Sequence, residues 1–328
     1  VGVTSTGIFC RLTCPARKPR PENCRFFASV GACIEAGFRA SKRCHPLAPM
    51  ANADPAIATL LNALEERPEF RWRETDIEAM GFDLSTVRRS FKRQFGMTFL
   101  DMARHRRLRD GFEALTEGSK VIDAQLDAGF SSPSAFRAAF ARLIGRAPGS
   151  LSTTGVLLAD WIKTPLGDMI AISSATHLHL LEFIDRKALK SEIATLEKAV
   201  KGRLGLGSHA PTDQIRAELE AFFAGQSATF TAPLALTGTP FARAVWAELQ
   251  RIPPGVTKSY SQIAQQIGRP SATRAVAHAH GANQLALVIP CHRVIGADGS
   301  LTGYGGGLWR KQRLLELEPH YRGLDQGP

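Results

Sequence analysis

Residues 81–145 contain two copies of one short pattern, which constrains the fold more than any other feature of this chain. Gly81-Phe82 recurs as Gly129-Phe130, 48 residues later. A phenylalanine, an arginine and a glycine then recur with a spacing of 49 residues: Phe91, Arg93 and Gly96, then Phe140, Arg142 and Gly145. In each copy a Gly-Phe turn separates a short helix from an amphipathic helix that ends at glycine. This order predicts two helix-turn-helix units, each with a second helix suited to the DNA major groove.

The helical spacing gives each of these second helices an inward and an outward face. Apolar residues that repeat every four positions are predicted to face the core: Val87, Phe91, Phe95, Phe136 and Phe140. The outward positions are candidate contacts to DNA bases or phosphates: Thr86, Arg89, Ser90, Arg93, Ser134, Arg137 and Arg142.

Basic residues are concentrated in the same region. Residues 88–109 carry eight lysines and arginines and a single acid, Asp101. A solvated helix face is the ordinary explanation, but the overlap with the repeat favours a DNA-binding face. Residues 128–145, together with a joining helix expected at about residues 99–115, resemble the AraC-type DNA-binding domain.

One cysteine, Cys291, lies far from the others and follows an apolar run. A buried thiol is ordinarily a small hydrophobic residue. Here His292 and Arg293 flank the thiol and are expected to favour its thiolate, which is the reactive form. We expect extended backbone at this point, so that His292 points away from the thiol and acts through a bridging water.

The sequence Pro290-Cys-His-Arg-Val294 resembles the active-site motif of the O6-alkylguanine-DNA alkyltransferases. Further motifs of that family occur in order: Phe241–Trp246, Ser259-Tyr260, Arg274–Val276, Asn283, Gly303–Gly307 and Leu314–Glu318. The resemblance covers about residues 157–320. It implies that Cys291 takes an alkyl group from O6 of guanine and keeps it as a thioether, so that each molecule acts once and needs no cofactor.

The same resemblance implies roles for the other motif residues. His292 and Glu318 would activate the thiol through water, Tyr260 would protonate the departing guanine, and Asn283 would brace the turn. Arg274 would fill the gap left by the flipped nucleotide. Its helix, expected over residues 271–281, carries small residues that allow close approach to the minor groove: Ala275, Ala277 and Ala279.

Two histidines depart from that family's pattern, in which their positions are usually small or apolar. We expect His278 and His280 to be exposed polar residues on a DNA-facing helix rather than catalytic groups.

Five of the six cysteines lie within the first 44 residues, which favours a metal site or reactive centre over disulfides. Residues 7–17 and 36–46 resemble the N-terminal module of the Ada family of adaptive-response proteins. That resemblance implies a structural zinc on four cysteines, the first of which also accepts a methyl group from DNA phosphotriesters. The family's chain usually extends before the segment matching Val1, so part of the module is expected to be absent.

Three of the four implied zinc ligands are present as Cys10, Cys14 and Cys44, but Ser41 occupies the remaining position. Serine is a poor zinc ligand because its hydroxyl would have to ionise. The open alternatives are a fourth ligand from elsewhere, three thiolates with a water, or no zinc. The candidates for a fourth ligand are Cys24, Cys33 and, less suitably, His45.

Turn-rich segments at 47–55 and 147–155 divide the chain, and the predicted fold is a multidomain α+β protein. Its parts are a Cys-rich metal module (1–50), an all-α double helix-turn-helix domain (51–150), an α/β subdomain (153–240) and a helical alkyltransferase domain with its own DNA-binding helix-turn-helix (241–322). The chain is 44% hydrophobic, but no apolar run approaches the roughly 20 residues of a membrane span. Because the start lacks the features of a signal peptide, a cytoplasmic location is expected.

These features predict a DNA-binding transcriptional regulator fused to a single-turnover O6-methylguanine-DNA methyltransferase, with Cys10 as a second methyl acceptor. The expected partners are double-stranded DNA, both alkylated DNA and promoter sites, and RNA polymerase; a monomer without membrane contact is expected. One alternative is a regulator whose repair chemistry has decayed. Another is a thiol or metal sensor that controls the helix-turn-helix domain through the cysteine cluster.

Overall fold

The computed structural model describes residues 1–10, 19–27, 33, 36–41, 55–67 and 70–321. The first of these ranges contribute a small sheet of four two-residue strands: β1 (Gly2–Val3), β2 (Ile8–Phe9), β3 (Cys24–Arg25) and β4 (Arg39–Ala40). Their order across the sheet is β3-β1-β2-β4, and only β2 and β4 run parallel. Phe9, Cys33 and Phe38 are buried together beside the sheet.

The next part is helical, as the repeat predicts. Its helices are α1 (Pro55–Glu66), α2 (Glu74–Ala79), α3 (Leu84–Phe95), α4 (Phe99–Thr116), α5 (Val121–Asp127) and α6 (Pro133–Ile144). The long joining helix, α4, is therefore confirmed. It connects a pair of short helices on one side, α2 and α3, to a second pair, α5 and α6.

Both copies of the repeat have the same local structure, because the same capping chemistry defines their ends. The Asp83 side chain accepts a hydrogen bond from the Thr86 N–H at the start of α3, and Ser132 does the same for Ala135 at the start of α6. Each helix ends at a glycine with left-handed backbone, Gly96 and Gly145.

A second sheet follows the helices, with strands β5 (Leu157–Ile162), β6 (Met169–Ser173), β7 (Leu178–Phe183) and β8 (Leu204–Leu206). The strand order is β7-β6-β5-β8, antiparallel except for the β5–β8 pair, and Asp160 lies opposite Ala171. Two helices accompany this sheet, α7 (Leu189–Val200) and α8 (Ala210–Phe223).

The last part is helical and carries Cys291. It contains α9 (Pro240–Gln250), α10 (Tyr260–Gln266), α11 (Thr273–Gly281) and α12 (Leu308–Leu317), the short parallel strands β9 (Lys258–Ser259) and β10 (Val294–Ile295), and 3₁₀ turns at Cys291–Arg293 and Glu318–Tyr321. Within the ranges described, no helix is both long and apolar enough to cross a bilayer.

One hydrophobic core continues across the turn-rich segment 147–155. The ring of Phe112 on α4 lies 5.6 Å from that of Trp161 on β5, and both side chains belong to one buried cluster with residues of α6 and α7. Arg109 on α4 also pairs with Asp168 beside β6, at 3.3 Å. The second helix-turn-helix copy and the sheet are therefore packed as a single body.

Candidate functional site

Cys291 is the first residue of a 3₁₀ turn that follows a buried apolar run, residues 285–290. The prediction of extended backbone here is wrong, because the backbone N–H of Val294 donates to the Cys291 carbonyl and closes a turn. The Cys291 side chain is buried, with 6% of the residue exposed. The sulfur is therefore held at the edge of the core.

Asn283 holds this turn from the start of the same segment, just after α11. Its amide nitrogen donates to the Ile289 carbonyl at 3.0 Å and lies 3.3 Å from the Cys291 sulfur. Its amide oxygen accepts from the Leu285 N–H at 2.9 Å. One buried side chain thus fixes both the apolar run and the sulfur at its end.

The thiol of Cys291 is neutral at rest. Burial raises the pKa of this thiol to about 11, against the opposing effect of the Asn283 hydrogen bond. The prediction that His292 and Arg293 favour the thiolate is therefore wrong for the resting protein. Both of these side chains are directed to a carboxylate instead of the sulfur.

That carboxylate is Glu318, which is fully buried. His292 Nε2 lies 2.6 Å from Oε1 of Glu318, and Arg293 Nε donates to the same oxygen at 2.9 Å. Burial opposes ionisation of Glu318, but the two neighbours outweigh it and lower its pKa to about 2. Glu318 therefore remains a carboxylate at neutral pH, and His292 Nε2 must carry a hydrogen to donate to it.

The second ring nitrogen of His292, Nδ1, is buried and has no hydrogen-bond partner among the residues described. Burial lowers the pKa of this imidazole, so it is neutral at rest and Nδ1 keeps a free lone pair. The pair of His292 and Glu318 can thus accept one proton at a defined atom.

Tyr260 begins α10 and is partly buried. Its hydroxyl donates to the Thr302 carbonyl at 3.5 Å, a long hydrogen bond, and burial raises its pKa. Gly303 has left-handed backbone, and a Cβ there would lie 3.1 Å from this hydroxyl. The glycine-rich loop therefore leaves space for the phenol.

Helix α11 presents Arg274 and Ala275 to the surface, as a DNA-facing helix requires. His278 is exposed, as predicted, but the prediction for His280 is wrong. His280 is 4% exposed, and its Nε2 lies 2.7 Å from the Cys291 carbonyl oxygen. It lies one helical turn after the buried Val276, a spacing that marks the inward face.

In the helix-turn-helix repeat, the predicted inward residues are buried or partly buried. The candidate DNA contacts Thr86, Arg89, Arg93, Ser134, Arg137 and Arg142 are exposed. Ser90 is the exception: it is 5% exposed, so its prediction as an outward residue is wrong. It directly precedes the buried Phe91 and shares the inner face of α3.

In the N-terminal sheet, Cys10 directly follows β2, and Ser41 directly follows β4. Since β2 and β4 are parallel neighbours and the Ser41 N–H donates to the Phe9 carbonyl, these two residues lie side by side. Cys24 lies on β3, on the far side of β1, and Cys33 is packed among phenylalanines. Three further candidates, Cys14, Cys44 and His45, are outside the described residues.

Within the described ranges, no three side chains of the metal-ligating types are grouped to hold an ion. Cys10 and Ser41 occupy neighbouring positions at the ends of β2 and β4, so the zinc site stays a prediction. Thiolate donors of this kind are suited to zinc.

Family models match three parts of this chain. The model described as the metal-binding domain of Ada matches residues 1–46, a helix-turn-helix domain matches 77–153, and the DNA-binding domain of 6-O-methylguanine DNA methyltransferase matches 240–320. The three matches cover, in that order, the N-terminal cysteine cluster, the helix-turn-helix repeat and the segment around Cys291.

Shorter relatives match about half of this chain. A methylated-DNA–protein-cysteine methyltransferase of Mycobacterium leprae is 42% identical, over 48% of this chain and 90% of that protein. The crystal structure of Mycobacterium tuberculosis OGT in complex with DNA is similar over 48% of this chain and 90% of its own, with 39% identity and a TM-score of 0.42.

Two relatives correspond to nearly the whole chain. The regulatory protein ada of Salmonella typhimurium is 34% identical, over 96% of this chain and 90% of that protein. The bifunctional transcriptional activator/DNA repair enzyme Ada of Escherichia coli is 35% identical, with the same coverage. This chain therefore belongs to the Ada family of transcriptional regulators and DNA repair methyltransferases.

Proposed function

We propose that this protein removes the methyl group from O6-methylguanine in double-stranded DNA and keeps it on Cys291. It also regulates transcription by binding promoter DNA through the helix-turn-helix repeat. The observation that carries the first activity is a buried thiol followed in the chain by an imidazole, His292, whose Nδ1 is unpartnered in the described structure and whose Nε2 is bound to ionised Glu318.

The reaction begins with a proton transfer. The Cys291 thiol passes its proton through a water to Nδ1 of His292, and the Glu318 carboxylate stabilises the imidazolium that forms. The resulting thiolate is strongly nucleophilic, because nucleophilicity rises with the pKa of a thiol.

The thiolate then attacks the methyl carbon in line with the C–O bond. As the S–C bond forms and the C–O bond breaks, the electron pair moves to the guanine, which takes a proton from Tyr260. The product thioether cannot be hydrolysed under these conditions, so each molecule reacts once and no cofactor is consumed.

The stacked base must leave the duplex before its methyl group can reach a buried sulfur. Extrusion costs a few kcal/mol. Arg274 lies on the exposed face of α11, next to the small Ala275, and is suited to fill the gap that the nucleotide leaves.

For the N-terminal module we infer a zinc ion held by Cys10, Cys14 and Cys44. When bound, zinc would keep these thiols ionised. The position of Ser41 beside Cys10 supports a site with three thiolates, and the distance of β3 from β2 weighs against Cys24 as the fourth ligand. Methyl transfer from phosphotriesters to Cys10 belongs to the same proposal.

The finer organisation is also part of our proposal. It comprises domain boundaries near residues 50, 153 and 241, of which the one at 153 separates helices from sheet within a shared core. It also comprises action as a monomer and contact with RNA polymerase when bound at a promoter. The charge of the helix-turn-helix surface supports binding to DNA.

The repair activity is tested by quantitative single-turnover transfer from a duplex that contains O6-methylguanine. Wild-type protein is expected to take up one methyl group per molecule, and Cys291→Ser, which keeps the size of the side chain, to take up none. Multiple turnovers, or transfer that persists in Cys291→Ser, would contradict the proposal.

A further inference from the structure

His280 is a buried polar residue that the mechanism above does not use. It lies on the inward face of α11, and its Nε2 is 2.7 Å from the carbonyl oxygen of Cys291. Its ring also meets the ring of Tyr260 edge to face, with 5.2 Å between centroids. The His280 imidazole therefore contacts both the backbone of Cys291, the proposed methyl acceptor, and the ring of Tyr260, the proposed proton donor.

The hydrogen bond defines the protonation of this imidazole. A carbonyl oxygen can only accept, so Nε2 of His280 must carry the hydrogen. Burial lowers the pKa of His280 to about 4, and the nearby cations Lys311 and Arg186 act in the same direction. At neutral pH the ring is therefore an uncharged donor with its hydrogen on Nε2.

The orientation of the Cys291 carbonyl affects the position of the sulfur. This carbonyl also accepts the Val294 N–H that closes the 3₁₀ turn, so its orientation determines where the turn directs the sulfur. In-line displacement tolerates little misplacement, since a shift of about 1 Å can slow a reaction roughly 100-fold. Tyr260 makes one long hydrogen bond, and its ring packs against the hydrophobic core as well as against His280, so the His280 contact helps to orient the phenol.

We propose that His280 is a positioning residue for methyl transfer, whose Nε2–H holds the Cys291 carbonyl while its ring supports Tyr260. This inference rests on the proposed transfer to Cys291.

Three substitutions distinguish the effect of the Nε2–H donor of His280 from the effect of its ring and from the general effect of replacing a histidine. His280→Phe keeps a ring against Tyr260 but removes the donor, whereas His280→Gln places an amide N–H where Nε2 lies. His177→Phe is the matched control, since His177 is an exposed histidine on the turn between β6 and β7. Single-turnover transfer at rising concentrations of methylated duplex gives the Kd and the saturating rate separately.

We expect His280→Phe to lower the saturating rate about tenfold while the Kd stays within about twofold, because the donor holds the Cys291 carbonyl and makes no contact with DNA in the proposal. His280→Gln should restore most of the rate, and His177→Phe should match wild type. A His280→Phe rate equal to wild type, or a His280→Gln rate as low as that of His280→Phe, would overturn the inference. Failure of wild-type protein to methylate Cys291 would instead reject the proposed function.

The tautomer of His280 is measured in the wild-type protein, so this second test requires no variant to fold. In the ¹⁵N spectrum of histidine-labelled wild-type protein at pH 7, His280 should be neutral with its hydrogen on Nε2. A hydrogen on Nδ1 alone, with Nε2 bare, would overturn the inference, because the contact with the carbonyl would then lack a donor.

Discussion

At the scale of single residues, burial rather than sequence neighbours determines the chemistry of the site. His292 and Arg293 adjoin Cys291 in sequence, yet both bind Glu318, and the thiol stays protonated. Sequence motifs predicted which residues belong to the site. They could not predict the protonation states, because these depend on burial and, for His292, on a carboxylate that is 26 positions away and is reached only in the folded chain.

Glu318→Gln tests the buried ion pair. The variant leaves the Arg293 guanidinium buried without its carboxylate, so we expect the free energy of unfolding at pH 7 to fall by about 3 kcal/mol. The pKa of Glu318 is depressed to about 2 in the folded protein, so its contribution is fully present above its ordinary pKa and is lost as pH falls towards 2. Urea unfolding of both proteins at pH 7, 4 and 3, followed by tryptophan fluorescence, should show a narrowing difference. A difference that widens in acid would be inconsistent with this pairing.

Arg274→Ala tests base extrusion. Only duplex DNA requires a nucleotide to be flipped, so the variant should react much more slowly with methylated duplex, while its rate with free O6-benzylguanine should change little. The two rates are measured under the same conditions for wild type and variant. Equal losses on both substrates would show that Arg274 does not assist extrusion.

Ser41→Cys tests the metal module. A fourth thiolate beside Cys10 should tighten zinc binding and make the Cys10 sulfur more electron-rich, which should raise methyl transfer from phosphotriesters. Zinc content and competition with a chelator measure the first effect. Cys24→Ser is the matched control and should keep its zinc; loss of the metal from that variant would instead make Cys24 the fourth ligand.

At the scale of secondary-structure elements, the helix-turn-helix repeat was predictable because local signals define it. Capping residues, Gly-Phe turns and four-residue apolar spacing all act within a few positions, and the helices follow them. The inward position of His280 had a comparable signal, its spacing from Val276. The 3₁₀ turn at Cys291 had none, since it depends on a side-chain hydrogen bond from Asn283 to the Ile289 carbonyl that no sequence pattern marks.

Gly111→Ala tests the packing inside the second copy. A Cβ at Gly111 would lie 2.8 Å from the Phe136 ring and 2.9 Å from the Ala124 carbonyl, so α4 would be forced away from α5 and α6. We expect a loss of about 2 kcal/mol in the stability of this copy, seen as faster hydrogen exchange across α5 and α6. Gly149→Ala, where the nearest atom is 3.8 Å away, is the control. Unchanged exchange in Gly111→Ala would contradict the close packing.

At the scale of the whole molecule, the second helix-turn-helix copy and the sheet that follows it share one hydrophobic core. The sequence predicts where elements change from helix to strand, near residue 153, but contacts such as Phe112 with Trp161 join the two sides into one core. Such pairings arise between residues distant in sequence, so no local pattern marks them. A second contact places Trp309, beside the glycine-rich loop, 5.7 Å from Phe95 on α3.

Trp161→Ala tests this shared core. Trp161 is 3% exposed, and truncation of its side chain should cost about 3–5 kcal/mol through lost burial and a cavity. Because the cavity would border α4, hydrogen exchange should rise in the second helix-turn-helix copy as well as in the sheet. Ile122→Ala, at a half-exposed position on α5, should leave the sheet unaffected. Exchange that rises in the sheet alone would show that the two parts are independent.

The central claim, methyl transfer to Cys291, is tested most directly by peptide mass mapping after exposure to DNA that carries O6-methylguanine. The peptide containing Cys291 should gain the mass of one methyl group, in step with the lesions removed, and should be unchanged after exposure to unmodified duplex. Repaired DNA with an unmodified Cys291 peptide, or methylation confined to the N-terminal cysteines, would contradict the claim.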